Sequence, residues 1–482
     1  MKKLAGFLLS LTVCLGAIGC AVEPSNQSNT NPSGSATPVA TASAAPVTEK
    51  ASNEQPLTLP VLDAFFADES FPAVLKSRLQ LSDQQVTQLR ELAHAETAKL
   101  NEESAGSASG ETAAAREMAV EKVKALVGDE KTKQLAALVR ERWGAGGEGD
   151  SPKAAGGSTN PTTAAEFAAM APNAVPTDSR IVVNAPAFRM DVFDGGRLIK
   201  SYRIGIGYPQ FPLPTALRKA NSIIFNPTWT PPDEPWVAKM KNITAGEKVE
   251  AGSKLNPLGP IKIPIGLPSL IHGGKSPAKL GTFASHGCVG LTTPQVQDFA
   301  KVLAQLGGSQ LTDANLAGYA RDKTQTKSLK LQNAIPVELR YETIVVEDGK
   351  LHIYRDVYDH GTNTEENLRA VLEANGVKFD DLTEEERAQV SEALAQLGGK
   401  SFSTASVRQS PTPGASPATA ATEKKAAVAK KSPRPVKNQK EIVIEIAALK
   451  GKGYPAPVAL DTGSGKTKSV VVSAKPETKP KL

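Results

Sequence analysis

The stretch IVVNAPAFRMDVFDGGRLIKSYRIGI, residues 181–206, decides the fold. Ile181 to Asn184 and Phe188 to Phe193 are short runs rich in β-branched and aromatic residues. Such side chains fit a pleated, half-buried surface. Asp194-Gly195-Gly196 supplies a turn, and Leu198 to Ile206 returns as another strand. Strand-like segments continue to Arg340-Tyr341, so a mainly β domain is expected over residues 179–343.

Within that domain the chemistry-bearing residues gather in one place. Ile271-His272-Gly273 is followed by Ser285-His286-Gly287-Cys288-Val289. The chain has three cysteines. Cys14 falls in an N-terminal segment read below as removed, and Cys20 reads as capped by lipid. Cys288 is then the one free thiol, in a compartment where disulfides form readily. A thiol attacks only as thiolate, and its free pKa is about 8.5. A nearby imidazole can take that proton and later return it to a leaving amine. Backbone N–H groups in a glycine-containing turn can meet a developing oxyanion, and Gly287 lets substrate come close. Two other readings stand beside catalysis. A buried Cys often serves as a small apolar residue. Two His beside a Cys also suggest zinc, but a tetrahedral site needs more ligands and no second cysteine is available. His352 and His360 read as surface residues of a later hairpin, and His94 as a solvated or packed helix residue.

The two motifs resemble the signature of the L,D-transpeptidase catalytic-domain family, an upstream His-Gly paired with Ser/Thr-His-Gly-Cys. Ile181 to Phe193 resembles that domain's first hairpin. Asn226-Pro227-Thr228-Trp229-Thr230-Pro231-Pro232, Asn256-Pro257-Leu258-Gly259 and Val337 to Tyr341 also fit. The resemblance implies a β-sandwich-like fold with one helix packed beside the active-site turn. That helix is expected to open at Thr293, with Pro294 at its first position and Val296, Phe299 and Leu303 buried. The resemblance also implies that Cys288 is the nucleophile and His272 the general base and acid. Gly273 would orient the His272 ring through its carbonyl. His286, Gly287 and the Cys288 amide would build the oxyanion site, and Ser285 would hold the turn. Trp229 would line the donor groove or sit in the core. The substrates implied are peptidoglycan stem peptides, with no metal or organic cofactor. The acceptor is an amine of a second stem, a lysine of a wall-attached protein, or water, which would make a carboxypeptidase. A non-catalytic peptidoglycan-binding lipoprotein is the alternative from another class. Two positions depart from the family pattern. Gly290 stands where Arg or Asn is usual, so another group replaces it or the turn is looser. Leu213-Pro214-Thr215-Ala216 lacks the glycine of a Pro-Thr-Gly run.

Around this domain the composition sets the organisation. Lys2 and Lys3 precede a mostly apolar run from Leu4 to Ile18, too short to span a membrane comfortably. It ends in Ala17-Ile18-Gly19-Cys20, which resembles a bacterial lipoprotein cleavage box. Residues 1–20 are therefore expected to be a lipoprotein signal peptide, with Cys20 lipidated and the protein held at the periplasmic face of a membrane. Ala21 and Val22, in place of an Asp, favour the outer membrane. Residues 21–55 and 144–178 read as linkers and 400–440 as a disordered basic linker. Residues 56–143 read as a small α-helical module, with a capping box at Ser82 and Gln85 and a second helix from about Asp129 to Gly144. A Gly/Ser/Ala segment near 104–114 separates the two. Residues 344–399 read as a hairpin arm and two short helices, and 441–482 as a β-hairpin tail pairing Glu441–Leu449 with Ser469–Ser473. A fragment of about 175–400 is expected to fold alone. The net charge of +6 sits mostly in the C-terminal tail, so the folded part does not read as a nucleic-acid binder. Nothing in the sequence sets an oligomeric state.

Overall fold

In a computed structural model of the chain, which describes residues 57–100, 111–145, 171–266, 269–398 and 440–463, the opening hairpins form one edge of a mixed sheet. Strands β1 (Arg180–Asn184), β2 (Arg189–Asp194) and β3 (Arg197–Arg203) run antiparallel, and Gly195 and Gly196 take the positive φ their turn demands. Two-residue β4 (Ile206–Gly207) follows, then β5 (Ala216–Phe225), β6 (Ile261–Pro264), β7 (Leu270–His272), β8 (Phe283–Ser285), β9 (Val289–Gly290) and β10 (Lys327–Arg340). The main sheet has the order β3-β2-β1-β10-β5-β6-β7-β9. Gly205, two residues past β3 at one end, exchanges both backbone hydrogen bonds with Gly290 in β9 at the other, each 2.9 Å. Those bonds curl the sheet until its two ends meet. The sequence read two facing layers; the structure reaches the same enclosed core with one sheet, because closure leaves few free edges.

Ile181, Met190, Ile223, Ile263, Ile271, Val289 and Val337 fill the interior with a helix packed among them. Among the described residues α1 to α5 belong to the helical module given below, and α6 (Pro235–Ala238) is a single turn. The packed helix is α7 (Thr293–Leu306), which buries Val296, Phe299, Ala300 and Leu303. It starts one residue earlier than expected. Thr292 is the N-cap, closing a capping box with Gln295, and Pro294 lies inside the first turn. A short α8 (Asp313–Arg321) leads to β10.

The helical module holds α1 (Leu59–Phe66), α2 (Phe71–Leu79), α3 (Asp83–Thr97), α4 (Glu111–Val127) and α5 (Asp129–Ala145) around its own core of Leu62, Leu75, Leu89, Val123, Leu135 and Val139. The sequence reading found α3 and α5. It missed α4, and placed part of a separating segment on residues 111–114, because α4 buries Thr112, Ala115 and Ala119, side chains too small or polar to mark an apolar stripe. Gly144 does not stop α5, which runs to Ala145.

A third core lies C-terminal. Strands β11 (Ile344–Glu347) and β12 (Lys350–Tyr354) turn at Asp348-Gly349, and α9 (Glu365–Ala374) and α10 (Glu384–Leu397) cover them. Strand β13 (Glu441–Glu445) completes this sheet by pairing with β12. The start of the tail therefore belongs to this sheet. Farther on, Ser201 and Arg203 of β3 donate to the Val458 and Asp461 carbonyls, each at 2.9 Å, so the tail also covers the exposed edge of the catalytic sheet. The readings of Cys20, of residues 21–55, of most of the linkers 144–178 and 400–440, and of Ser469–Ser473 lie outside the described residues.

Candidate active site

Parallel pairing of β7 with β9 sets the site. Ile271 lies opposite Val289 and His272 opposite Gly290, which places Leu270 beside Cys288. At about 3.3 Å rise per residue and about 4.8 Å between strands, the His272 and Cys288 Cα atoms are about 8 Å apart, a gap that two side chains bridge. The turn before β9 is closed by one hydroxyl. Ser285 Oγ donates to the Cys288 carbonyl at 2.6 Å and accepts the Cys288 N–H at 3.0 Å. Gly287 has φ of +94°, a conformation that side chains rarely adopt, and its carbonyl accepts from Ser269 Oγ at 2.8 Å. The N–H groups of the turn differ in their resting partners. The Cys288 N–H is committed to Ser285, whereas the Gly287 N–H has no acceptor among the described residues.

His272 is buried, with Nδ1 2.7 Å from the Gly273 carbonyl. A carbonyl only accepts, so Nδ1 carries the hydrogen and Nε2 is the unprotonated nitrogen of the neutral ring. Burial, and then the charge of Lys275, push the imidazole pKa down to about 3. Burial also raises the half-buried Cys288 thiol, against the Leu270 N–H and Lys275, which lower it; Glu234 raises it further. The resting pair is therefore a neutral thiol and a neutral imidazole rather than a preformed ion pair. Lys275 answers the question left by Gly290. A Cβ on Gly290 would lie 2.8 Å from Lys275 Cγ and 3.0 Å from its Cε, so the lysine stem fills that space.

The side chain of His286 is held in an aromatic box. It stacks on Trp236 at 4.0 Å and meets Phe211 and Tyr208 edge-on at 4.8 and 5.3 Å. Trp229 stacks on Trp236 from the far side at 6.1 Å, so it lies in the half-buried wall beside the turn rather than in the core. Glu234 accepts from Trp236 Nε1 at 2.7 Å. The helical module backs this wall. Thr58 Oγ donates to the Gln210 carbonyl at 2.7 Å, Arg218 donates to the Trp143 carbonyl, and the charge of Asp63 in α1 is felt at Glu234. Three histidines remain, and His94 lies 3.6 Å from Asp63 in the helical module. His352 pairs with Glu441 at 2.6 Å, and His360, expected at the surface, packs on Tyr341 at 4.1 Å.

Sequence reasoning missed Trp236, Glu234 and Lys275. Nothing local marks Glu234 as buried, and the charge that acts on it comes from Asp63, far away in the chain. Burial, then the nearby Asp63, raise it to about 8 from an ordinary 4.5, and its hydrogen bond from Trp236 opposes them. A carboxyl raised on folding takes up a proton, so its stabilising effect is full below about pH 4.5 and is lost as pH rises through about 8. Glu234→Gln, which mimics the neutral form, should melt with wild type near pH 5 and roughly 5–10 °C above it at pH 9. Equal melting temperatures at both pH values would show that Glu234 is ionised in the folded protein.

Residues 178–324 match the family model described as the L,D-transpeptidase catalytic domain, YkuD. Among solved structures, an L,D-transpeptidase from Mycobacterium smegmatis is 13% identical, with 34% of this chain and 58% of that chain covered and a TM-score of 0.21. One from Enterococcus faecium is 12% identical, with 34% and 50% covered and a TM-score of 0.21. One from Mycobacterium tuberculosis H37Rv is 13% identical, with 34% and 57% covered and a TM-score of 0.19. The matched part spans about half the length of these proteins. No curated protein sequence matches the chain.

Proposed function

We propose that this protein is a peptidoglycan L,D-transpeptidase with Cys288 as nucleophile and His272 as its base and acid. The observation that supports the reading is the parallel register of β7 with β9, which sets His272 opposite Gly290, two residues past Cys288, within the matched domain. Cys288 Sγ attacks the carbonyl carbon between the third residue of a stem tetrapeptide and its terminal D-Ala, and its proton passes to His272 Nε2. The Gly287 N–H meets the oxyanion. Collapse breaks the C–N bond, and D-Ala leaves as an amine with the proton from His272. The thioester is then attacked by an acceptor amine, whose proton goes through His272 to the departing sulfur. Water in place of the amine gives the carboxypeptidase alternative. A binding protein needs neither a thiol nor a base, so the pair favours an enzyme over a passive wall-binding lipoprotein.

The apolar run before Cys20 supports an exported, lipid-anchored protein on the periplasmic side. One experiment tests both parts. The full chain is expressed in a bacterium, its muropeptides are profiled, and the protein is partitioned in detergent. We expect new cross-links between third-position residues and recovery in the detergent phase. An unchanged profile, with no new tripeptides either, removes the enzyme reading. Recovery in the aqueous phase removes the anchor.

A further inference from the structure

We propose that Lys275 is a positioning residue for Cys288, a cation laid across Gly290 that favours the anionic sulfur. This rests on the transpeptidase reading for its purpose, but not for its test. The lysine is held at its backbone and along its stem. Its backbone N–H donates to the Leu291 carbonyl at 3.0 Å, one rung beyond the His272–Gly290 register. Its stem then runs over Gly290, where a Cβ would lie 2.8, 3.0 and 3.4 Å from Cγ, Cε and Cδ. Gly290 has no positive φ, so its backbone would accept a side chain; the lysine stem is what excludes one. Gly290 stands two residues past Cys288 and opposite His272, and the charge of Lys275 acts on both groups.

The Leu270 N–H, Lys275 and Glu234 bear on the sulfur, the first two favouring its anion. Glu234 from the α6 segment opposes the thiolate. His272 from β7 is the base, and His286 of the turn has its ring turned into the aromatic box. Lys275 is the one whose charge favours the anion, and the same charge keeps His272 unprotonated. Both effects serve attack by sulfur on a carbonyl: the base stays free, and the sulfur is a better leaving group when the thioester is resolved.

The test uses iodoacetamide on the full chain, with alkylation of the Cys288 peptide followed by mass against pH. Lys275→Met keeps the stem over Gly290 and removes the charge. Its profile should move about one unit to higher pH, with a rate at pH 7 about tenfold lower. Lys275→Arg should keep the wild-type profile. Lys275→Ala with Gly290→Arg, which returns a cation to the same space from the other strand, should restore most of the shift. An unmoved Lys275→Met profile, or equal shifts for Met and Arg, overturns the proposal. A Cys288 that alkylates with the expected lysine dependence, yet never forms an adduct with a carbapenem, would instead overturn the transpeptidase reading and leave the role of Lys275 standing.

Discussion

Cys288→Ala should abolish formation of a covalent carbapenem adduct, and His272→Ala should slow that reaction at pH 7 by about 10²- to 10⁴-fold. The size follows from the resting charges. His272 is held neutral to about pH 3, and the thiol sits above the ordinary range. No thiolate is stored, so the proton has to move as sulfur attacks. Without the imidazole only hydroxide can make the thiolate, and the His272→Ala rate should climb steeply with pH and partly recover in alkali. The double variant should be no worse than Cys288→Ala, because the two groups act as one unit. His286→Ala is informative beside them. Its ring fills the box between Trp236, Phe211 and Tyr208, so the loss opens a hole against the turn but removes no base. Intermediate rates are expected. Adduct mass and rate against pH read all four proteins. If His286→Ala is inert and His272→Ala nearly normal, the base is the wrong histidine. If Cys288→Ala still takes up the carbapenem, the nucleophile is wrong.

Truncation after residue 398 should unfold the C-terminal unit and take the catalytic domain with it, contrary to the expectation that a fragment of about 175–400 stands alone. The cut removes β13, which pairs with β12 from Lys350–Glu445 to Tyr354–Glu441. It also removes Ile444, Ile446, Leu449 and Tyr454, all buried. At roughly 1.5–3 kcal/mol for each large apolar side chain, their loss rivals the whole stability of a typical domain. Tyr454 stacks edge-on with Phe193 of β2 at 5.6 Å, so the damage reaches the catalytic sheet. The uncovered β3 edge would add a route to aggregation. A chain ending at residue 463 should melt cooperatively, and one ending at 398 should be insoluble or melt more than about 20 °C lower. Near-equal melting curves would mean that the tail only rests on the fold.

The candidate site was legible in part for a chemical reason. Cys288, His272 and Ser285 do work that few residue types can do, at spacings a local turn and one strand pair enforce, so they show in the sequence. Lys275, Glu234 and Trp236 are ordinary residues whose importance comes from where distant segments meet. Lys275 matters because Gly290 leaves a space, and Glu234 because it is buried beside the charge of Asp63.

The sequence by itself determined that a mainly β domain follows a helical module. Alternation of side chains, capping residues and turn glycines are local signals, and they act within a few residues. Only the tertiary structure decided that the sheet curls until Gly205 meets Gly290, that the helices back the wall around His286, and that the tail is divided between β12 and β3. Those contacts join residues far apart in the chain. Their free energy depends on shape and burial at surfaces that exist only once the separate pieces have folded.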